Sequence, residues 1–344
     1  MPALTFSEVL DHAVATLQNF GSPKFSQIAA TLQRYEIMGK WLKSDKVTIT
    51  DGKSISRALM TQAGSAARHV GLFSVDNVNV YDHLASLDVP WRHIETSWAV
   101  DKAEVLANKG KSLIVNIIKP RRDGALIAAA KELEEKGWSA PGTTDDTLPY
   151  GLTYWIVKNA TAGFNGATPG SHTTVGGVNL TTHPSFKNYT FTFSTWDKAG
   201  VIKAMRTANR QIQWESPVDL DDFRKGTGQD LQIYVNGTAW EYLVDIGEQQ
   251  NENLGRDLAS LDGELTFHRH PIRWIPYLDT LESSAHGIYM VDHNTFYPVV
   301  LSGDYMVETS LDAPSQHRVR QYFVDLTYNF ICVDRRRNAV GYKV

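Results

Sequence analysis

The sequence predicts an α+β fold, and three features predict it. Residues 101–137 carry helical spacing over the longest stretch of the chain. Residues 321–333 alternate as one long strand. Two alternating segments, at 46–56 and 91–100, flank a tip with little pattern.

The elements follow in order. Over 1–45, Phe6, Val9, Leu10, Ala13 and Leu17 recur at helical spacing, Gly21, Ser22 and Pro23 interrupt, and Ile28, Leu32, Tyr35 and Met38 resume. Each piece has one apolar stripe and needs a partner to cover it. In the next segment Val47, Ile49 and Ile55 oppose Thr48 and Thr50, with Asp51 and Gly52 as a turn. Residues 57–88 are polar and weakly periodic. At 91–100, Ile94, Thr96, Trp98 and Val100 share one face, and Trp91, His93, Glu95 and Ser97 the other. These two segments read as the arms of a protruding ribbon, which is marginal alone and requires packing.

The helical region presents Leu106, Leu113, Ile114, Ile117 and Ile118, then Leu126, Ala129, Ala130 and Leu133. Pro120 is expected to kink or split it, and Gly137 to cap it. LTYWIVK at 152–158 reads as a strand. The glycine-rich run that follows reads as a long ordered loop, of the kind that is functional or interfacial. Asp197 and Thr238 are expected to cap helices ending near Gln213 and Gln250. TFHRHPIRWIPYLD, GIYMVDH and TFYPVVLSG read as extended, with Pro271 and Pro276 suggesting an edge. In the last strand Tyr322, Val324, Leu326, Tyr328, Phe330 and Cys332 share a face.

Composition excludes several classes. With 42% hydrophobic and 21% charged residues, the 344-residue chain is an ordinary folded protein. Nine Trp give either a large core or extensive self-contact. A formal charge of −4 argues against coating nucleic acid by net charge. Cys332 is the only cysteine, so no intrachain disulfide forms and a reducing compartment suits folding. No run approaches the ~20 apolar residues of a membrane helix. Sequons at Asn159, Asn179, Asn188 and Asn236 are read as chance.

No catalytic motif is complete. GxSxG and Walker A are absent. Asp145–Asp146 and Asp221–Asp222 read as solvated charge. His268 and His270 flank Arg269 and would share a strand face, but a metal site needs three or four ligands and nothing supplies the rest. No catalysis, cofactor or metal is expected. Two basic clusters remain, Lys119, Arg121 and Arg122, and Arg335, Arg336 and Arg337. Arg forks suit carboxylates and phosphates alike, so these six are expected at intersubunit or DNA contacts, with the triplet splayed outward at the strand end.

Two segments, YPVVLSGDYMVETSLDAPSQHRVRQYFVDLTYNFICVDRRRNAVGYKV and GFNGATPGSHTTVGGVNLTTHPSFKNY, resemble the major capsid proteins of tailed bacteriophages, as does the order of elements. The resemblance implies the Hong Kong 97-type fold. The N-terminal arm would be 1–45, the extended loop 46–100 and the peripheral domain 101–144, with its spine helix to 137. The axial domain and adjoining strands would be 145–320, and a returning strand 321–344. It implies an icosahedral virion shell of hexamers and pentamers around double-stranded DNA, touched non-specifically, with separate scaffolding, portal and decoration proteins and no membrane. Only about 45 residues precede the ribbon, so a long internal scaffold is not expected, and the family's Lys–Asn crosslink motif is not matched. A tube or ring subunit, or a metal-dependent hydrolase, are the alternatives.

Overall fold

A computed structural model of the protein describes residues 35–42, 48–62, 69, 84–107, 118–213, 230–252, 265–312 and 318–344. The arm helices expected over 1–34, most of the ribbon tip, Asp221–Asp222, and Leu113, Ile114 and Ile117 lie outside them.

In chain order the elements are a helical turn α1 (Ile37–Trp41), β1 (Thr48–Thr50), β2 (Ile55–Met60), β3 (Leu84–Val89), β4 (Arg92–Asp101), α2 (Lys102–Ala107), α3 (Ile118–Trp138), α4 (Leu152–Trp155) and β5 (Tyr189–Phe193). They continue with α5 (Lys203–Ile212), β6 (Leu231–Val235), α6 (Gly237–Glu252), β7 (Thr266–Phe267), β8 (His270–Trp274), α7 (Pro276–Leu281), β9 (Ile288–Asp292), β10 (Phe296–Leu301), β11 (Val307–Asp312), β12 (Val319–Cys332) and β13 (Ala339–Lys343). Among the described residues no helix is long and apolar enough to cross a membrane.

Several local expectations are revised. The kink or split expected at Pro120 falls at the edge of the described residues, since α3 is described from Ile118 onward. Gly137 is inside α3 and not its cap. A Cβ there would sit 2.2 Å from Ile37 Cδ1, so the glycine permits close approach. LTYWIVK holds a helical turn, because Leu152, Tyr154 and Trp155 are all buried. A run covered on every side carries no period to read. Asp197 does cap the turn leading to α5. For α6 the cap is Asn236, whose Oδ1 accepts from Ala239 N at 3.0 Å, and not Thr238.

The described residues fall into two compact units. The first holds the described parts of 93–133 and 303–327. In it β11 pairs antiparallel with β12, from Val307 opposite Asp325 to Asp312 opposite Arg320. β4 also pairs with β12. Trp98 stacks on Tyr322 with ring centroids 4.0 Å apart, and Lys102 N donates to Arg318 O at 2.8 Å. The alternation of β4 is as expected: Trp98 and Val100 are buried, while His93, Glu95 and Ser97 are exposed.

The second unit holds the described parts of 36–92, 134–302 and 328–344. Its main sheet has the order β5-β13-β9-β6-β8-β7. Val201, Met205, Ala208 and Ile212 of the α5 region and Ala239, Leu243 and Ile246 of α6 share one core with Phe191, Ile233, Ile288 and Met290 of that sheet. Each large side chain so buried stabilises by about 1.5–3 kcal/mol. Elsewhere in the unit β1 runs parallel to β10, and β10 pairs antiparallel with residues 328–332 of β12. Trp41 meets Trp138, Tyr234, Phe296 and Phe330 with centroids 5.0 to 5.9 Å apart. Trp41, Trp138 and Trp155 are thus core residues.

Candidate assembly surfaces

The ribbon exists, with other arms than the sequence suggested. β2 and β3 pair antiparallel from Ile55 opposite Val89 to Met60 opposite Leu84. The expected arm at 46–56 instead gives β1 to β10, and 91–100 gives β4 to β12. Alternation sorts the ribbon into two faces. Ile55, Leu59, Leu87 and Val89 are buried. Ser56, Ala58, Met60, Leu84, Ser86 and Asp88 are exposed.

The buried face lies on the glycine-rich loop. Asp88 N donates to Gly176 O at 2.9 Å, and Ser185 Oγ to Thr61 O at 2.6 Å. Gly176 has φ +56°, and a Cβ there would meet Leu87 Cδ1 at 2.6 Å and Trp155 at 2.7 Å. Only glycine satisfies both demands at once. The loop is therefore an ordered platform, with Val175, Val178, Leu180 and Phe186 buried. On the outer face Met60 and Leu84 are 60% and 62% exposed. These two facing apolar side chains sit where the isolated chain gains nothing from them.

The basic triplet does not splay outward. Arg335 is fully buried. Its Nε donates to Trp155 O at 2.6 Å, Nη1 to Phe186 O at 3.1 Å, and Nη2 to Ala167 O at 3.1 Å and Asn188 Oδ1 at 2.9 Å. Burial pulls its pKa down to about 10, the direction expected when a cation leaves water. Arg337 is also buried and pairs with buried Asp292 at 3.1 Å. Burial pushes the Asp292 carboxyl up, and Arg337 offsets part of that. Arg336 is more open and grips Asp334 through Nε at 3.1 Å and Nη2 at 3.0 Å. The strand pattern pointed outward because it stopped one residue too late. A short helical turn at Arg335–Arg337, capped by Asp334, turns two of the three side chains inward.

The other cluster lies in the first unit. Lys119 is in α3. Arg121 Nη1 donates to Ala99 O at 3.1 Å. Exposed Arg122 forks Glu308, with Nε 3.1 Å and Nη2 2.9 Å from Oε2, and that carboxylate raises its pKa. Asp145 is held below the usual carboxylate range by Thr147, whose N and Oγ1 both donate to it. His268 and His270 do not share a strand face. His268 and Arg269, with φ of 50° and 71°, form the turn between β7 and β8, and neither His belongs to a group of three ligands among the described residues. Two sequon residues are buried, Asn188 and Asn236, and both bond internal partners.

No known family model and no curated protein sequence matches the chain. Solved structures do. A cyanophage A-1(L) capsid asymmetric unit aligns at TM-score 0.62 and 14% identity over 94% of this chain and 96% of that one. A cyanophage Pam1 capsid asymmetric unit gives 0.57 and 12% over 99% and 98%. The capsid of Myoviridae phage XM1 gives 0.54 and 8% over 100% of both. The chain thus has the fold of tailed-phage capsid proteins, the Hong Kong 97-type α+β architecture.

Proposed function

We propose that the protein is the major capsid protein of a tailed phage, a non-enzymatic subunit that assembles into the icosahedral shell of the virion around double-stranded DNA. The observation that carries this reading is the extent of the fold match, which spans at least 94% of this chain and 96% of the capsid chains named above. The ribbon adds physical support. Its inner face is anchored on the chain's own loop, while its outer face offers an apolar pair to a neighbour. A closed shell needs such self-complementary contacts repeated in every copy.

In this reading the subunits form hexamers and pentamers, with separate scaffolding, portal and decoration proteins, and DNA is touched without sequence preference. Residues 46–100 act as the extended loop, 101–144 as the peripheral domain and 145–320 as the axial domain. Lys119, Arg121, Arg122 and Arg336 keep a role at intersubunit or DNA contacts. Arg335 and Arg337 do not, because their charges are spent within the fold. Negative-stain microscopy of the chain, expressed alone and with its genomic neighbours, tests the proposal. Closed shells are expected; tubes or rings would transfer the protein to another structural class.

A further inference from the structure

On the exposed face of β4, His93 and Glu95 stand two residues apart, beside Asp325 of β12. Their ligand atoms lie within 4.8 Å of one another. All three are in the first unit, on strands paired in one sheet, so their Cα positions are fixed by the backbone ladder.

The histidine is also oriented. Thr327 Oγ1 donates to Asp304 Oδ2 in a short hydrogen bond. Thr327 Oγ1 lies 2.9 Å from His93 Nδ1. Since the hydroxyl proton is committed to Asp304, its oxygen can only accept, and Nδ1 must carry the hydrogen. Nε2 is then the ring nitrogen turned toward Asp325, 3.9 Å from its Oδ1. Glu95, Asp304 and Asp325 form no ion pair with a Lys or Arg among the described residues. Three carboxylates beside a single imidazole leave a local excess of negative charge.

We propose that His93, Glu95 and Asp325 bind one divalent transition-metal ion, with Asp304 and Thr327 as positioning residues, and that the ion clamps β4 to β12. The separation of 3.9 Å is less than the sum of two ~2.1 Å metal–ligand bonds, so one ion reaches both atoms. One imidazole with two carboxylates suits zinc or manganese better than a soft-metal site. A relay of hydroxyl and carboxylate behind the ring nitrogen is the usual means of fixing a metal-binding tautomer. The site opens to solvent, so water fills the remaining positions. No sequence motif announces it, because His93 and Thr327 are 234 positions apart.

The test uses the full chain, stripped with chelator and titrated with zinc chloride while thermal unfolding and bound metal are read. One zinc per chain and a raised Tm are expected for the wild type. His93→Ala and Asp325→Asn should lose both, while unfolding like the wild type in chelator. Asp304→Asn should weaken binding by roughly 10–100-fold, as outer-shell changes do. Cobalt loading supplies a readout that does not depend on any variant's folding, since nitrogen ligation shifts and intensifies the visible bands of the hydrated ion. The proposal fails if the wild type binds no metal, or if the zinc response survives in His93→Ala. It also fails if only a proton occupies the gap, in which case Tm changes with pH and not with metal.

Discussion

The guanidinium of Arg335 donates to the side-chain oxygen of Asn188 at 2.9 Å, across 147 positions of sequence. The same Asn188 oxygen accepts from Val157 N, and its amide nitrogen donates to Val157 O. One charged group and one amide thereby fasten the end of α4, the end of the long loop and the turn before β13. All of these groups are inside, so none can be rehydrated if a partner is lost.

Replacing Arg335 with Ala should therefore cost about 3–5 kcal/mol, because several buried acceptors lose their donor together. Arg336→Gln, next in sequence but more open, should stay within ~1 kcal/mol. Urea unfolding of the two variants compares them directly. Equal, small losses would show that the buried network contributes little.

Glu134 gives a pH prediction. It is buried, and its oxygens accept from Ile37 N at 2.8 Å and Trp138 Nε1 at 2.9 Å. Burial raises its pKa from 4.5 to about 7, against the opposing effect of those bonds. The folded state thus holds a proton that the unfolded state releases. This contribution is intact below pH 4.5 and is lost as pH rises through 7, a change of about 3 kcal/mol. Glu134→Gln cannot ionise, so its stability should gain on the wild type by up to that amount between pH 5 and 8. Parallel stability curves over that range would contradict this.

Gly176→Ala should destabilise by about 1–3 kcal/mol or more, since overpacking and a left-handed backbone act together. The damage should be local. Limited proteolysis is expected to open the ribbon ahead of the main sheet, and a uniform loss of protection would point elsewhere.

Serine at both Met60 and Leu84 should leave the subunit's unfolding free energy within ~0.5 kcal/mol, as exposed substitutions usually do. Particle yield should nonetheless fall. Normal shells from that double variant would remove the ribbon's outer face from the assembly contacts.

Legibility in the sequence followed physical locality. β12 was readable, predicted over 321–333 and found at Val319–Cys332, because alternation is a local signal. β4 was readable for the same reason. The ribbon was recognised and its arms misplaced, since Leu84–Val89 alternates among polar residues while 46–56 looked stronger in isolation. Which strand pairs with which is a tertiary choice: β1 was taken by β10. The fate of Arg335 was unreadable because its acceptors are mostly main-chain carbonyls, which no residue type advertises. The cluster at His93 was half visible. Its outward face was legible, whereas Asp325 arrives from a strand far along the chain.

The position of β13 has a consequence in time. Its residues come after every other strand of the sheet in sequence, yet it sits inside, parallel to β5 on one side and antiparallel to β9 on the other. While the ribosome is still making 339–343, β5 has no strand beside it, and its exposed edge can only wait. The sheet closes when translation delivers its missing middle. A nascent chain therefore cannot complete this sheet before synthesis has passed that point.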